Sequence, residues 1–296
     1  MAEPPVTIGM PVYNAARTLE VALRSIFRQT LGNWELVVVD DGSTDGTADV
    51  LARAADPRLR VVRDGRNLGL SARLNEIVAG ARSEYFARMD ADDVAYPRRL
   101  AAQVAFLAAH PEIDLAGCGA LVFGEDGAPL GRFPLRATHA EICADPWSGF
   151  YLAHPGWMGR TAWFRRNPYR AGYRKTQDQD LLLRTFDASR FACLPEILLG
   201  YRMEAVSLAK RLRGRGYFSR SILREAARRG MYDAALRGVV LQLAKAGVDC
   251  VAAALPGARL AAARRLPPLT DAERAEWQAL WRTLWERAFG PGAPVQ

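Results

Sequence analysis

Val37-Val38-Val39-Asp40-Asp41-Gly42-Ser43-Thr44-Asp45 and Tyr85-Phe86-Ala87-Arg88-Met89-Asp90-Ala91-Asp92-Asp93 share one form. Each is an apolar run that ends in clustered carboxylates. Runs of this kind read as buried strands of a parallel sheet. Both would then deliver acids to one edge, where open α/β sheets bind their ligands. Carboxylates crowded at such an edge repel one another unless a cation or hydrogen-bond donors compensate. A hard divalent metal bridging to a nucleotide diphosphate supplies that compensation.

Around these two runs the periodicity alternates between strand and helix. Val6 to Met10 reads as a strand closed by Pro11, and Trp34 to Val39 and Leu59 to Val62 as two more. Thr18 to Gln29 carries Leu19, Ala22, Leu23, Ile26 and Phe27 on one helical stripe. Thr47 to Ala55 and Ser71 to Ala81 read as helices. This β-α-β-α-β-α-β order predicts an α/β fold, a mostly parallel sheet with helices on both faces. Pro97 opens a further helix that stops at His110-Pro111, Leu115 to Phe123 is a strand, and Pro129 to Phe133 returns as a hairpin. Asp178 to Asp187 reads as a helix and Ile197 to Tyr201 as the last strand. From about residue 211 the chain turns to Ala/Arg-rich helices, so a catalytic domain over 1–210 and a helical extension over 211–296 are expected.

The chain has 296 residues, a net charge of +8 and a sequence pI near 9.6. The basic balance suits an anionic surface or a polyanionic substrate, but Arg-rich solvated faces account for it equally well. No nucleic-acid reader motif accompanies the arginines, and no nucleic-acid partner is expected. Cys118, Cys143, Cys193 and Cys250 are widely spaced, which reads as reduced thiols and not a zinc site. The N-terminus lacks the regions of a signal peptide, and no apolar stretch reaches a membrane span. A cytoplasmic location follows, with peripheral contact at the inner face of the membrane.

Three constellations carry chemistry. The first is Pro11-Val12-Tyr13-Asn14 beside Asp40-Asp41-Gly42-Ser43, where a tyrosine can stack on a base and a carboxylate can hold a base or ribose. Turn chemistry favours the same residue types. The second is Asp90-Ala91-Asp92-Asp93, whose D-x-D spacing sets two acids on one side of an extended chain, within reach of one metal. Asp93 also suits a helix cap before Pro97. In the third, Gln177-Asp178-Gln179-Asp180, two acids open a helix; the dipole favours them there, and a general base fits there too.

In order and spacing these motifs, with Val6-Thr7-Ile8-Gly9-Met10 and with Asn67-Leu68-Gly69 and Asn75, resemble family 2 glycosyltransferases over roughly residues 5 to 208. The resemblance implies a GT-A fold, a nucleotide-diphosphate sugar as donor, a divalent metal (Mn2+ or Mg2+) and inversion at the anomeric carbon. It assigns Pro11, Tyr13, Asn14, Asp41, Asn67, Asp90, Ala91 and Asp92 to the donor site. Asp92 becomes the metal ligand, with Asp90 as a second candidate, and Asp178 the catalytic base. His154 and Arg202 match positions near the diphosphate or acceptor. Gln177 stands where the family often has Glu. The Gln-x-x-Arg-Trp signature of processive synthases is absent, which implies transfer of single sugars to a glycan or lipid-linked glycan, in surface polysaccharide or glycolipid synthesis. The alternatives are a sugar-nucleotide nucleotidylyltransferase and a non-catalytic nucleotide-sugar-binding scaffold. Met10-Pro11-Val12-Tyr13 lacks the Gly-rich, Arg-containing loop of the first, and the intact acids argue against the second.

Outside the resemblance, Trp277, Trp281 and Trp285 recur every four residues, with Leu280, Leu284 and Phe289 near the same face. Such a stripe suits either a membrane interface or a helix docked on its own domain. The arginines from Arg211 to Arg229 and Arg259 to Arg265 favour an anionic surface modestly.

Overall fold

A computed structural model describes residues 5–203, 207–254 and 266–289. Arg259 to Arg265, and the side chains of Arg287 and Phe289, lie outside what it describes. In chain order the elements are β1 (Val6–Val12), α1 (Leu19–Phe27), β2 (Glu35–Asp40), α2 (Thr47–Arg53), β3 (Leu59–Arg63), α3 (Leu70–Gly80), β4 (Tyr85–Arg88), β5 (Val94–Ala95) and α4 (Arg99–Ala109). They continue as β6 (Leu115–Phe123), β7 (Pro129–Arg132), α5 (His139–Ile142), β8 (Met158–Arg160), α6 (Thr161–Arg166), α7 (Gln177–Thr185), β9 (Phe191–Arg202), α8 (Leu208–Arg229), α9 (Tyr232–Ala254) and α10 (Asp271–Phe289).

The strands form one sheet in the order β3-β2-β1-β4-β8-β6-β9-β5, with β7 paired to β6. From β3 to β4 every pairing is parallel, as the alternating periods predict. Beyond β4 the sheet is mixed: β8 runs antiparallel to both β4 and β6, while β9 is parallel to β6. Every residue of β1 is buried, and so are Leu36 to Asp40 of β2, which fits strands covered by helices on both faces. Gly9 has no alternative, because a Cβ there would sit 2.5 Å from the Phe86 ring.

Two short strands escape periodicity. β5 has two residues and β8 three, too few for a pattern to show. The last strand extends from Phe191 to Arg202, well before the expected Ile197, because Pro195 and Glu196 break its apolar run at register shifts against β6.

The residues beyond 210 share buried side chains with the sheet. Phe218, Ile222 and Ala226 of α8 pack with Leu181, Leu182 and Leu183 of α7. The tryptophan stripe belongs to the docked kind of helix. Trp277 is fully buried and its ring lies 4.6 Å from Phe123, while its Nε1 donates to the Gly127 carbonyl at 2.8 Å. Trp281 and Trp285 pack on the same cluster. Of the two readings open for this stripe, the packing favours the docked helix: its apolar area is buried on the protein's own core. A capping box opens α10, with Glu273 N–H donating to Thr270 Oγ1 and Thr270 N–H to Glu273 Oε2.

Candidate active site

β1 and β2 end side by side, and their loops are laced together. Asn14 adopts a left-handed φ of 50°, which lets its N–H donate to Ser43 Oγ and its Oδ1 accept from Thr44 N–H. Tyr13 stands exposed beside them. Pro11 is paired in β1 opposite Val39.

Asp40 and Asp41 divide their work. Asp40 is buried, caps Ser43 N–H and pairs with Arg63 at 2.9 Å. Asp41 accepts from Leu68 N–H at 2.7 Å, Gly69 N–H at 2.9 Å and Arg73 Nε at 2.8 Å, while Asn67 Nδ2 donates to its carbonyl. Three of about four carboxylate lone-pair positions are thereby used. Asp41 thus folds the 64–69 loop against the strand ends, a role the sequence did not disclose. The turns require Gly42 and Gly69, whose φ values are +77° and +86°. Arg73, itself buried, clamps the same loop through Asp64 and holds that carboxyl well below the usual carboxylate range.

At the end of β4 three acids converge. The nearest carboxylate oxygens of Asp90, Asp92 and Asp93 all lie within 4.8 Å of one another. The turn over 91–92 gathers them, so the expected extended alternation of D-x-D is corrected: the chain reverses there to return as β5. Asp93 caps no helix, since the residue preceding α4 is Arg98. Instead Asp93 Oδ1 accepts from Arg202 N–H at 2.7 Å, and its Oδ2 is buried with no hydrogen-bond partner. Burial, then the charges of Asp92 and Asp90, push the Asp93 carboxyl well above its ordinary value. Arg88 pairs with Asp90 but keeps two buried guanidinium nitrogens without partners.

These residues fit a divalent cation. The donors are hard oxygens, and opposite ligands around such an ion are about 4–5 Å apart. An orphaned buried carboxylate oxygen and mutual repulsion both call for positive charge.

A cavity of about 320 Å³ opens beside the acids, lined by Arg88, Asp90, His154, Lys175, Asp178 and Tyr201 among others. Asp178 sits in the first turn of α7, after Thr176 in the left-handed region. Burial raises its carboxyl above the ordinary value, opposed by the Gln179 backbone N–H and the charge of Arg88. Asp180, two residues on, turns away: its oxygens bind Arg170 at 2.9 Å and Arg184 at 3.0 Å, and it is 1 % exposed. His154 is buried against Trp157, with its Nε2 2.9 Å from Tyr169 Oη, and burial followed by Arg88 holds its pKa well below normal. It is therefore neutral at physiological pH. Arg202 reaches back to the acidic turn, donating from Nε to the Asp92 carbonyl at 2.8 Å. The structure thus brings Asp90 and Asp178 to one cavity, and Asp92 and Arg202 to the turn beside it. Tyr13 and Asn14 follow β1, the strand next to β4, while Asp41 follows β2 and Asn67 follows β3, two and three strands from β4.

The profile of Glycosyl transferase family 2 matches residues 7–167, more than half of the chain. The chain belongs to that family. A relative named "Putative glycosyltransferase EpsE", from Bacillus subtilis (strain 168), is 37% identical over 190 residues, covering 62% of this chain and 67% of the relative. Among solved structures, S. aureus TarS 1-349 in complex with UDP-GlcNAc superimposes with a TM-score of 0.60 at 18% identity, over 96% of this chain and 82% of TarS. The mannosyltransferase PcManGT from Pyrobaculum calidifontis, in complex with GDP-Man and Mn2+, gives 0.58 at 20% identity, over 97% and 89%. As a family 2 glycosyltransferase the chain has the expected GT-A fold and transfers sugar.

Sequence reasoning missed three site residues of this family member. Asp93 suits a helix cap as well as the acidic cluster, Arg88 lies inside an apolar strand, and Arg73 lies on a helix, so none of the three stands out in the sequence. Arg88 had a signal: a charge in the middle of a run otherwise fit for the core is rarely idle.

Proposed function

We propose that the protein is an inverting glycosyltransferase that moves one sugar from a nucleotide-diphosphate donor to a hydroxyl acceptor. The observation that carries this reading is the shared cavity of Asp90 and Asp178, beside the turn of three acids. The nucleoside lies over the ends of β1 and β2, between Tyr13 and the loop that Asp41 holds. Asp92, with Asp90 and Asp93, would hold a divalent cation, which when bound neutralises the leaving diphosphate. Arg88 offers two further donors to the same anion. Asp178 takes the proton of the acceptor hydroxyl as its oxygen bonds to the anomeric carbon from the opposite face. The carbon–oxygen bond to the diphosphate breaks, and its electron pair leaves with the nucleoside diphosphate. The acceptor is a glycan or lipid-linked glycan, and the reaction belongs to surface polysaccharide or glycolipid synthesis in the cytoplasm.

The test is donor turnover with Mn2+, read as release of nucleoside diphosphate. Asp92→Asn is expected to lower it by at least about 10²-fold, since a cation supplies several kcal/mol of charge stabilisation. The fold should persist, because Asp92 lies at a half-buried turn. Normal turnover, or an unfolded variant, would sink the metal-ligand assignment.

Membrane contact falls to α9 in this reading. No described helix is long and apolar enough to cross a membrane. Yet α9 is apolar on the side that meets solvent. Its inner face carries Gln242 and Lys245, both donating to the Ser148 carbonyl, and Asp249 paired with Arg215. Its outer face carries Leu236 at 68 %, Leu243 at 66 % and Val251 at 63 % exposure, with Tyr232 before them and Val240 between the first two. The neighbouring α8 exposes Arg213, Arg220, Arg224 and Arg228. An apolar stripe beside arginines fits an anionic lipid surface, at about 1 kcal/mol per basic residue near it. Leu236→Glu/Leu243→Glu should lower binding to phosphatidylglycerol-containing vesicles by at least about tenfold, a loss of roughly 1.4 kcal/mol. Unchanged flotation, or a dimer in sedimentation that the substitutions dissociate, would reject the lipid surface.

A further inference from the structure

Three carboxylates gathered within 4.8 Å of one another push the turn over 90–93 apart. What holds it closed comes from a distant part of the chain. Arg202, the last residue of β9, donates its N–H to Asp93 Oδ1 at 2.7 Å and its Nε to the Asp92 carbonyl at 2.8 Å. Its Nη1 donates to the Glu125 carbonyl at 3.3 Å, in the turn between β6 and β7. The planar fork of a guanidinium suits such divergent acceptors, where a lysine offers a single point charge.

The guanidinium is itself held by aromatic faces. Its Cζ lies 4.7 Å from the Phe123 ring centroid and 5.8 Å from that of Trp281, both within cation–π reach. Trp281 stacks with Trp277 and with Trp285, at 5.5 Å between centroids in each case. The turn over 124–128 is fastened to the same stack. The Trp277 indole donates to the Gly127 carbonyl, and the Trp281 ring leaves no room for a Cβ on Gly127, whose φ is +81°. β5, which follows the acidic turn, rests on this cluster too: Val94 is buried with Trp277 and Leu284, and it pairs with Gly200 of β9. The tryptophans of α10 thus back both Arg202 and the exit of the acidic turn. Arg202 and α10 both lie beyond residues 7–167, which the family profile matches.

We propose that Arg202, seated on Phe123 and on Trp281 of α10, is a positioning residue that holds the acidic turn closed for a cation. The proposal rests on the reading of that turn as a metal site given above. Without the clamp the three carboxylates relax apart, and a cation that must first gather them binds more weakly. In this role Arg202 acts on the turn and touches no reacting atom. The C-terminal helix then belongs to the support of the metal site.

The experiment uses the full chain without nucleotide, at a temperature where the variants are folded. Mn2+ binding is measured by electron paramagnetic resonance of the free ion, and amide exchange over residues 89–96 is followed with no metal added. Arg202→Met should weaken Mn2+ binding by about 10–100-fold, the usual loss when an outer partner of a metal ligand is removed. It should speed exchange over 89–96 by at least about tenfold, as local opening of the turn does. Trp281→Leu removes the indole beside the guanidinium and should move both readouts the same way. Leu284→Ala opens a void in the same cluster without changing the aromatic faces at Arg202, and should move neither. If Arg202→Met does not fold, Arg202→Lys takes its place: it keeps the charge without the fork and should show both losses in part. A direct contact of Arg202 with a diphosphate would alter neither readout, so unchanged values in the Arg202 variant overturn the clamp. Equal effects of Trp281→Leu and Leu284→Ala would mark general loosening of the cluster and overturn the role of α10. Faster exchange in the Arg202 variant, in a chain whose Mn2+ binding is absent or indifferent to Asp92→Asn, would leave the clamp standing while the metal reading failed.

Discussion

Asp178→Asn is expected to lower the rate of sugar transfer by roughly 10²–10⁴-fold, the usual contribution of a positioned base. Donor affinity should stay nearly unchanged, because the proposed binding mode sets the nucleoside end over β1 and β2 and the diphosphate at the acidic turn. Asn is nearly isosteric, and in the first turn of α7 it leaves the helix start intact. The neighbouring acid is the control. Asp180 is locked between Arg170 and Arg184, so Asp180→Asn should cost stability and not the base. The wild-type pH profile gives a second handle. A base works only after losing its proton, and burial raises the Asp178 carboxyl above 3.8. Transfer should therefore rise with pH through a midpoint above that value, and be lost as pH falls through it. Single-turnover transfer and donor titration decide the case. A rate defect confined to Asp180→Asn would move the base by two residues, and an equal loss of donor affinity in Asp178→Asn would make Asp178 a donor contact.

Trp277→Ala is expected to destabilise the protein by about 3–5 kcal/mol, as truncation of a fully buried aromatic does. The void would open between Phe123 and Tyr96, whose rings lie 4.6 and 6.2 Å from the indole. The Gly127 carbonyl would lose its donor. Gly200 shows how close the fit is: a Cβ there would fall 2.3 Å from the indole. Backbone beside the void has no side chain to fill it, so little collapse can offset the loss. Thermal melting should fall by about 6–20 °C. An unchanged melting point with weakened vesicle binding would return the stripe to a membrane.

The parallel half of the sheet was legible because β1, β2 and β4 are buried on both faces and alternate with amphipathic helices. β5 and β8 were not, since two or three residues carry no period. The acids at 90, 92 and 178 were legible as chemistry because strand ends and a helix start need no such density of charge. Asp93 was not, because its partner is the N–H of Arg202, more than a hundred residues away in sequence.

The amino-acid sequence by itself determined the fold class, the family and the edge where the acids would stand, because apolar period and motif order are local properties of the chain. Only the tertiary structure shows which of the two acids faces the cavity. Asp178 opens on the cavity, while Asp180 is neutralised by Arg170 and Arg184, and a helix start alone favours both equally. Tertiary contacts also sorted the apolar helices: the tryptophan stripe of α10 is buried on β6 and α1, while the outer face of α9 meets solvent. Period tells which residues share a face, but what covers that face is set by distant parts of the chain.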